Sequence, residues 1–232
     1  MKISYLEFGE KGQNIVFLHG WQQDKKSFSP LVPFLFKKYR LFLVDLPGFG
    51  ESDLTADILD SFDFAKVVTN WLKKRKIKKV ILIGHSFGGK VASIIAKKEP
   101  QLIYKLILIA NPGVSHPPKF WYPYKRFIPL FLKGFLLRFF VSRDYREAGK
   151  LLPLFKTIVK ENLEPVFADI KIPTLLIWGK NDQEVPIADG IKINHLIKKS
   201  QLIVLDGGHF PFWEDPQKVA DLIDKFIQND RS

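Results

Sequence analysis

The chain has 232 residues, more than one minimal core needs and enough for one α/β domain with an insertion; 46% hydrophobic and 26% charged residues exclude a disordered or fibrous chain. Without a cysteine it holds neither a disulfide nor a thiolate metal site. Its net charge of +12 is scattered through lysine runs such as Lys73-Lys74-Arg75-Lys76 and comes with no nucleic-acid-binding motif, so the surplus reads as a solvated surface and no nucleic-acid partner is expected.

The first ten residues carry Glu7, Gly9 and Glu10 where a signal peptide would carry an apolar core, which reads as a cytoplasmic start. A strand candidate there leads through Glu10-Lys11-Gly12 into the apolar run 14–19, and an amphipathic helical pattern follows over 28–39. The alternation then repeats: strand 41–46, helix 62–76, strand 80–84, helix 86–98, strand 106–110. Such a βα rhythm predicts a doubly wound, mostly parallel sheet. It breaks after Ala110 and resumes at Pro173, which divides the chain into a core of residues 1–111 and 173–232 and an insertion, 112–172.

The strand at 80–84 runs into Gly84-His85-Ser86-Phe87-Gly88-Gly89, a Gly-x-Ser-x-Gly sequence at a strand-to-helix junction. A side chain thrust out of so sharp a turn has a strained backbone, and Gly84 and Gly88 supply the lack of Cβ bulk that it needs. The following helix directs its N-terminal amides and the positive end of its dipole at the hydroxyl. Ser86 is therefore the candidate nucleophile. Residues 84–90 also fit Gly-x4-Gly-Lys of a phosphate-binding loop, but Val91 stands where a magnesium-ligating Ser or Thr is required, and that reading is set aside.

In the insertion, Pro112-Gly113 and Pro117-Pro118 punctuate the chain. The stretch 120–140 is aromatic and basic, with no acidic residue. At helical spacing Phe127, Leu130, Phe131, Gly134 and Phe135 share one face, and Ile128, Leu132, Leu136 and Phe139 a neighbouring one. Lys133 and Arg138 interrupt a run already shorter than the roughly 20 residues of a membrane span. Two uses remain: an interfacial helix making weak contact with an anionic membrane surface, or, preferred here, a cap whose Phe127, Phe131 and Phe135 line a lipophilic substrate pocket. A second cap helix is expected over 145–162.

A strand pattern beginning at Pro173 ends in Gly179-Lys180-Asn181-Asp182, and a second, 202–205, ends in Asp206-Gly207-Gly208-His209. Each puts a functional group just past the carboxyl end of a strand, where open α/β sheets build their sites. A serine needs a base, and the base an orienting acid. His209 takes the first role and Asp182 the second, with Asp206, Glu184 and Asp215 as weaker competitors for the acid. Asp45, in Asp-Leu-Pro-Gly, reads as a turn residue accepting backbone hydrogen bonds. His19 and His85 belong to turn motifs and satisfy local hydrogen bonds; His116 and His195 read as cap and surface residues.

With these elements in place the chain resembles the α/β-hydrolase family from about residue 3 to the C-terminus. The resemblance is carried by Phe17-Leu18-His19-Gly20-Trp21, Asp45-Leu46-Pro47-Gly48-Phe49-Gly50-Glu51-Ser52, the serine turn, Gly179-Lys180-Asn181-Asp182-Gln183-Glu184-Val185-Pro186 and Gly207-Gly208-His209-Phe210-Pro211. The order Ser, Asp, His is the order of such enzymes. The resemblance implies an oxyanion hole formed by the backbone amides of Trp21 and Phe87 and a cap at the insertion; the N-terminal segment departs from the family, since its first strand candidate leads through Glu10-Lys11-Gly12 straight into the strand ending at His19, so the sheet is expected to lack the first strand usual there. The resemblance also implies acyl transfer with no metal or organic cofactor, and the aromatic stretch 120–140 favours a small-molecule carboxylic ester with a lipophilic acyl or alcohol group as the substrate. Serine rather than aspartate at position 86 argues against haloalkane dehalogenases and epoxide hydrolases. Carbon–carbon bond hydrolases of ring-cleavage products and thioesterases or acyl-carrier ester hydrolases are the enzymatic alternatives, and a catalytically inactive binding module is the rival from another class. The oligomeric state is not legible.

Overall fold

The computed structural model describes residues 1–116 and 149–229. Strands β1 (Tyr5–Phe8), β2 (Asn14–Leu18), β3 (Arg40–Val44), β4 (Val80–His85), β5 (Ile103–Ile109), β6 (Thr174–Gly179) and β7 (Ser200–Leu205) form one sheet in the order β1-β3-β2-β4-β5-β6-β7. β1 pairs antiparallel with β3, and every other pairing is parallel. The sheet has seven strands among the described residues. Central strands β2, β4 and β5 are near-continuous runs of Val, Ile, Leu and Phe because both of their faces are covered.

Covering elements are α1 (Val32–Leu35), α2 (Ser61–Lys74), α3 (Phe87–Lys98), α4 (Leu152–Ile158), α5 (Glu164–Ala168), α6 (Ile187–Leu196), α7 (Pro211–Glu214) and α8 (Pro216–Gln228). Side chains alternate across the strands, so Val16 and Leu18 join α2 and α3 on one face while Ile15 and Phe17 meet Phe28, Leu31 and α8 on the other. Asp60 caps α2 by accepting from the amides of Phe62 and Asp63.

The helix expected over 28–39 is instead a 3-10 segment, Lys25–Leu31, followed by the single turn α1. Pro30 and Pro33 remove two amide donors from this stretch, and an uninterrupted α-helical ladder needs both. The helix expected over 145–162 is, within the described residues, the 3-10 turn Gly149–Leu151 and α4, which ends at Ile158. Phe155, Ile158, Leu163, Val166, Phe167 and Ile170 lie in the same buried cluster as α2 and α3.

The chain steps from β2 to β3 on one side and crosses to β4 on the other, so the strand order reverses between β2 and β4. In open α/β sheets such a reversal is where a crevice forms at the carboxyl ends of the strands. His19-Gly20-Trp21 leaves β2 on one side of it and Ser86 leaves β4 on the other.

Candidate active site

Ser86 has φ 49° and ψ −118°, outside the regions that a residue with a side chain prefers. The strain is sustained by its surroundings: the Ser86 amide donates to the Ile109 carbonyl at 2.9 Å, and its own carbonyl accepts from Gly89 at 2.9 Å as α3 begins. Both flanking glycines are required by contact. A Cβ on Gly84 would strike the Gly88 carbonyl, and one on Gly88 would strike the carbonyls of Leu18 and His19. Between Val80 and Ala96, Ser86 is the one residue that is not buried. The backbone thus brings a single hydroxyl out of the buried run.

His209 and Asp182 meet as the sequence predicts. Nδ1 of His209 lies 2.8 Å from Oδ2 of Asp182, and both side chains are buried. The other carboxylate oxygen of Asp182 accepts from the amides of Glu184 and Val185, each at 2.9 Å, which locks the acid in its turn after β6. Since a carboxylate only accepts, Nδ1 of His209 is the donor, and in the neutral ring Nε2 carries the lone pair. Glu184, proposed from sequence as a competing acid, stands at the other nitrogen, with Oε2 3.4 Å from Nε2. Neither Asp206 nor Asp215 makes a hydrogen bond or ion pair with His209; Asp215 caps α8 by accepting from Lys218. Ser86 Oγ has no hydrogen-bond partner among the described residues. Such contacts are commonly long until a substrate closes the site.

Phe87 is the first residue of α3, so its amide has no acceptor within the helix. Trp21 lies in a turn that Gln23 closes, its amide donating to the Gly20 carbonyl at 3.3 Å and its side-chain oxygen accepting from the Gly20 amide at 3.0 Å. His19 anchors that turn: Nδ1 donates to the Gly20 carbonyl and Nε2 accepts from the Leu46 amide. Burial draws its pKa down to about 4, which keeps the ring neutral. Trp21 packs against Phe49 at 5.0 Å, Phe87 at 5.3 Å and Phe155 at 5.0 Å between ring centres, an aromatic wall that reaches the residue following Ser86. Phe127, Phe131 and Phe135 lie outside the described residues, as does the stretch 120–140 with its expected membrane-surface contact.

Asp45 does accept backbone hydrogen bonds, from Lys25 at 2.6 Å and Glu51 at 2.9 Å. It also pairs with a buried ammonium that sequence reasoning missed: Lys25 Nζ lies 2.7 Å from Asp45, 2.8 Å from Glu51 and 2.9 Å from Ser4 Oγ. Burial works against the charged form of each partner; hydrogen bonding outweighs it, holding Asp45 below the ordinary carboxylate value and Lys25 above that of lysine. Lys90, seen in the sequence only as a phosphate-loop lysine, is buried too. It donates to the Ile158 carbonyl at 2.5 Å and lies 3.6 Å from Glu161, whose carboxylate accepts from the amide and hydroxyl of Ser61. Of the remaining histidines, His116 contacts Asp189 at 3.1 Å and His195 is exposed.

Among the described residues no group of three or more His, Asp, Glu or Cys side chains could hold a metal ion, and no helix is long and apolar enough to cross a membrane.

A profile of the alpha/beta hydrolase family matches residues 15–222. The pimeloyl-[acyl-carrier protein] methyl ester esterase of Aeromonas hydrophila is 28% identical over 260 residues, covering 98% of this chain and 100% of its own. A protein of Mycoplasma genitalium described as putative esterase/lipase 2 is 31% identical over 249 residues, with 95% and 91% covered. The 2-hydroxy-6-oxononadienedioate/2-hydroxy-6-oxononatrienedioate hydrolase of Escherichia coli K12 is 26% identical over 265 residues, with 98% and 91% covered.

Proposed function

The chain belongs to the alpha/beta hydrolase family and is a hydrolase, and from that premise we propose that it cleaves carboxylic esters with a lipophilic acyl or alcohol group through an acyl-enzyme on Ser86. The observation that carries this reading is the 2.8 Å bond between Asp182 and Nδ1 of His209, because it leaves Nε2 as a base at the crevice into which Ser86 emerges. Nε2 accepts the Ser86 proton as Oγ adds to the ester carbonyl. The amides of Trp21 and Phe87 stabilise the oxyanion, each contributing roughly 3 to 4 kcal/mol to the transition state. As the tetrahedral adduct collapses, the C–O bond to the alcohol breaks and the imidazolium protonates the departing oxygen; water then repeats the sequence and frees the acid. Asp182 fixes the tautomer and offsets the imidazolium charge.

Ester cleavage is favoured over carbon–carbon cleavage because two of the three relatives carry esterase in their names. A lipophilic substrate is supported by the aromatic wall of Trp21, Phe49, Phe87 and Phe155, together with the Phe-rich composition of residues 120–140. A small-molecule ester is thus the expected partner, with residues 112–172 serving as the cap. The test is a fluorophosphonate label followed by turnover of p-nitrophenyl esters with short to long acyl chains, the matching thioesters and a ring-cleavage dienone. Modification at Ser86 with turnover rising along the ester series is expected. Absence of labelling would overturn the catalytic reading, and preferred turnover of the dienone would overturn the ester.

A further inference from the structure

Among the described residues, the buried side-chain polar atoms without a partner are Nε1 of Trp21, Nδ1 of His85 and both side-chain polar atoms of Asn111. His85 carries an argument beyond its own burial. It immediately precedes Ser86, and its Nε2 lies 2.9 Å from the main-chain carbonyl of His209. A carbonyl only accepts, so Nε2 bears the hydrogen. Burial keeps the imidazole well below its ordinary pKa, so the ring is neutral and Nδ1 is a bare lone pair. That lone pair faces the turn leading to Trp21, where a Cβ on Gly20 would come within 3.0 Å of it. The His85 ring centre is 4.7 Å from that of His209 and 5.0 Å from those of Phe210 and Phe212.

The need for such a contact arises from the chain around the base. His209 hangs from Gly207, at φ 134°, and Gly208, a pair too permissive to fix the backbone of the histidine by itself. Asp182 restrains the ring. The backbone is restrained by the Gly208 amide donating to the Glu214 carboxylate at 2.9 Å, by the Asn181 amide donating to the Gly207 carbonyl at 2.8 Å, and by His85. Of these, His85 alone comes from the strand that carries the nucleophile.

We propose that His85 is a positioning residue for acyl transfer: by holding the His209 carbonyl, its Nε2–H fixes the base in register with the serine that follows it in the chain. This rests on the assignment of Ser86 and His209 above. The comparison that tests it is His85→Gln, which returns an N–H near the Nε2 position, against His85→Asn, whose amide is too short, and His85→Phe, which keeps a ring without a donor. The expected result is a kcat loss of about 100-fold in the Phe and Asn variants with KM little changed, the cost of displacing a catalytic group by about an ångström, and recovery of most of it in Gln. A readout independent of turnover is the far-downfield proton resonance of His209 Nδ1–H bonded to Asp182, which should persist in Gln and broaden in Phe. Equal losses in Gln and Phe, or a Phe variant with unchanged kcat and resonance, would overturn the proposal. If Phe does not fold, the Gln and Asn variants decide alone. A parent chain that fluorophosphonate fails to label at Ser86 would instead overturn the reading on which it rests, whatever the variants do.

Discussion

Replacing Asp182 by asparagine changes one atom and should nearly abolish turnover, for a reason set by the acid's surroundings. Two amides, those of Glu184 and Val185, point at Oδ1 from 2.9 Å, so an asparagine there must turn its oxygen toward them. Its NH2 group then faces Nδ1 of His209, 2.8 Å from the position it occupies. Nδ1 has to accept, the ring hydrogen moves to Nε2, and the Ser86 proton has no acceptor. Oε2 of Glu184, 3.4 Å from Nε2, would hold the wrong tautomer in place. Fixing that tautomer costs about 10⁴ in kcat where the same substitution reverses the same hydrogen bond. This is a barrier increase of about 5.5 kcal/mol, with raised pH giving no rescue. Asp182→Ala imposes no tautomer and should fall less far. Steady-state hydrolysis of a p-nitrophenyl ester across neutral and mildly alkaline pH, with circular dichroism as the check on folding, measures both variants. An Asn variant keeping more than about a tenth of the activity would move the acid to another carboxylate; equal losses in Asn and Ala would refute the tautomer argument.

Three further outcomes are expected. Ser86→Ala and His209→Ala should each lower kcat by on the order of 10⁶-fold and the double variant by little more, since they act as a unit; multiplying losses would refute the shared mechanism. Asp45→Asn strips the buried Lys25 ammonium of its buried partner while the exposed Glu51 keeps contact, so thermal melts at neutral pH should register a loss near the lower end of the range for breaking a buried pair, about 3 kcal/mol. Because the folded-state pKa of Asp45 is depressed, the parent's advantage is present above the ordinary value of 3.8 and lost as pH falls through the folded value below it; a gap that stays constant on acidification would show that charge is not its source. Phe131→Asp or Phe135→Asp should depress hydrolysis of long-chain esters far more than of an acetate, each lost apolar contact being worth roughly 1.5 to 3 kcal/mol. Loss of vesicle binding with unchanged ester hydrolysis would assign that stretch to a membrane surface instead.

What was legible in the sequence was whatever local geometry forces. The turn at Ser86 tolerates only glycine at 84 and 88, where neighbouring carbonyls leave no room for a Cβ, so its motif is written into five consecutive positions. Asp182 and His209 could be read because each closes an apolar strand. Lys25 and Lys90 could not. Their partners lie 20 residues away at Asp45 and 68 away at Ile158, and topology alone brings them together. The contact of His85 with the His209 carbonyl, 124 residues along the chain, was hidden for the same reason, although the turn that holds the histidine was recognised. The mistaken helix over 28–39 shows the reverse failure. Its hydrophobic spacing was right, but the prolines within it carried the local signal that decided the outcome.

The chain that follows β5 and the chain that returns toward β6 are bonded to each other. The Leu163 amide donates to the Gly113 carbonyl at 2.8 Å, and Lys90, on the helix that begins just after Ser86, grips Ile158 just before the return. These bonds hold the two ends of residues 114–157 together, while Phe155 within that segment packs directly into the core. Lengthening a segment tied at both ends is inexpensive, about 0.6 kcal/mol for each doubling. Changes of length between 117 and 148 can thus leave that closure intact, with α3 behind Ser86 as its fixed mount.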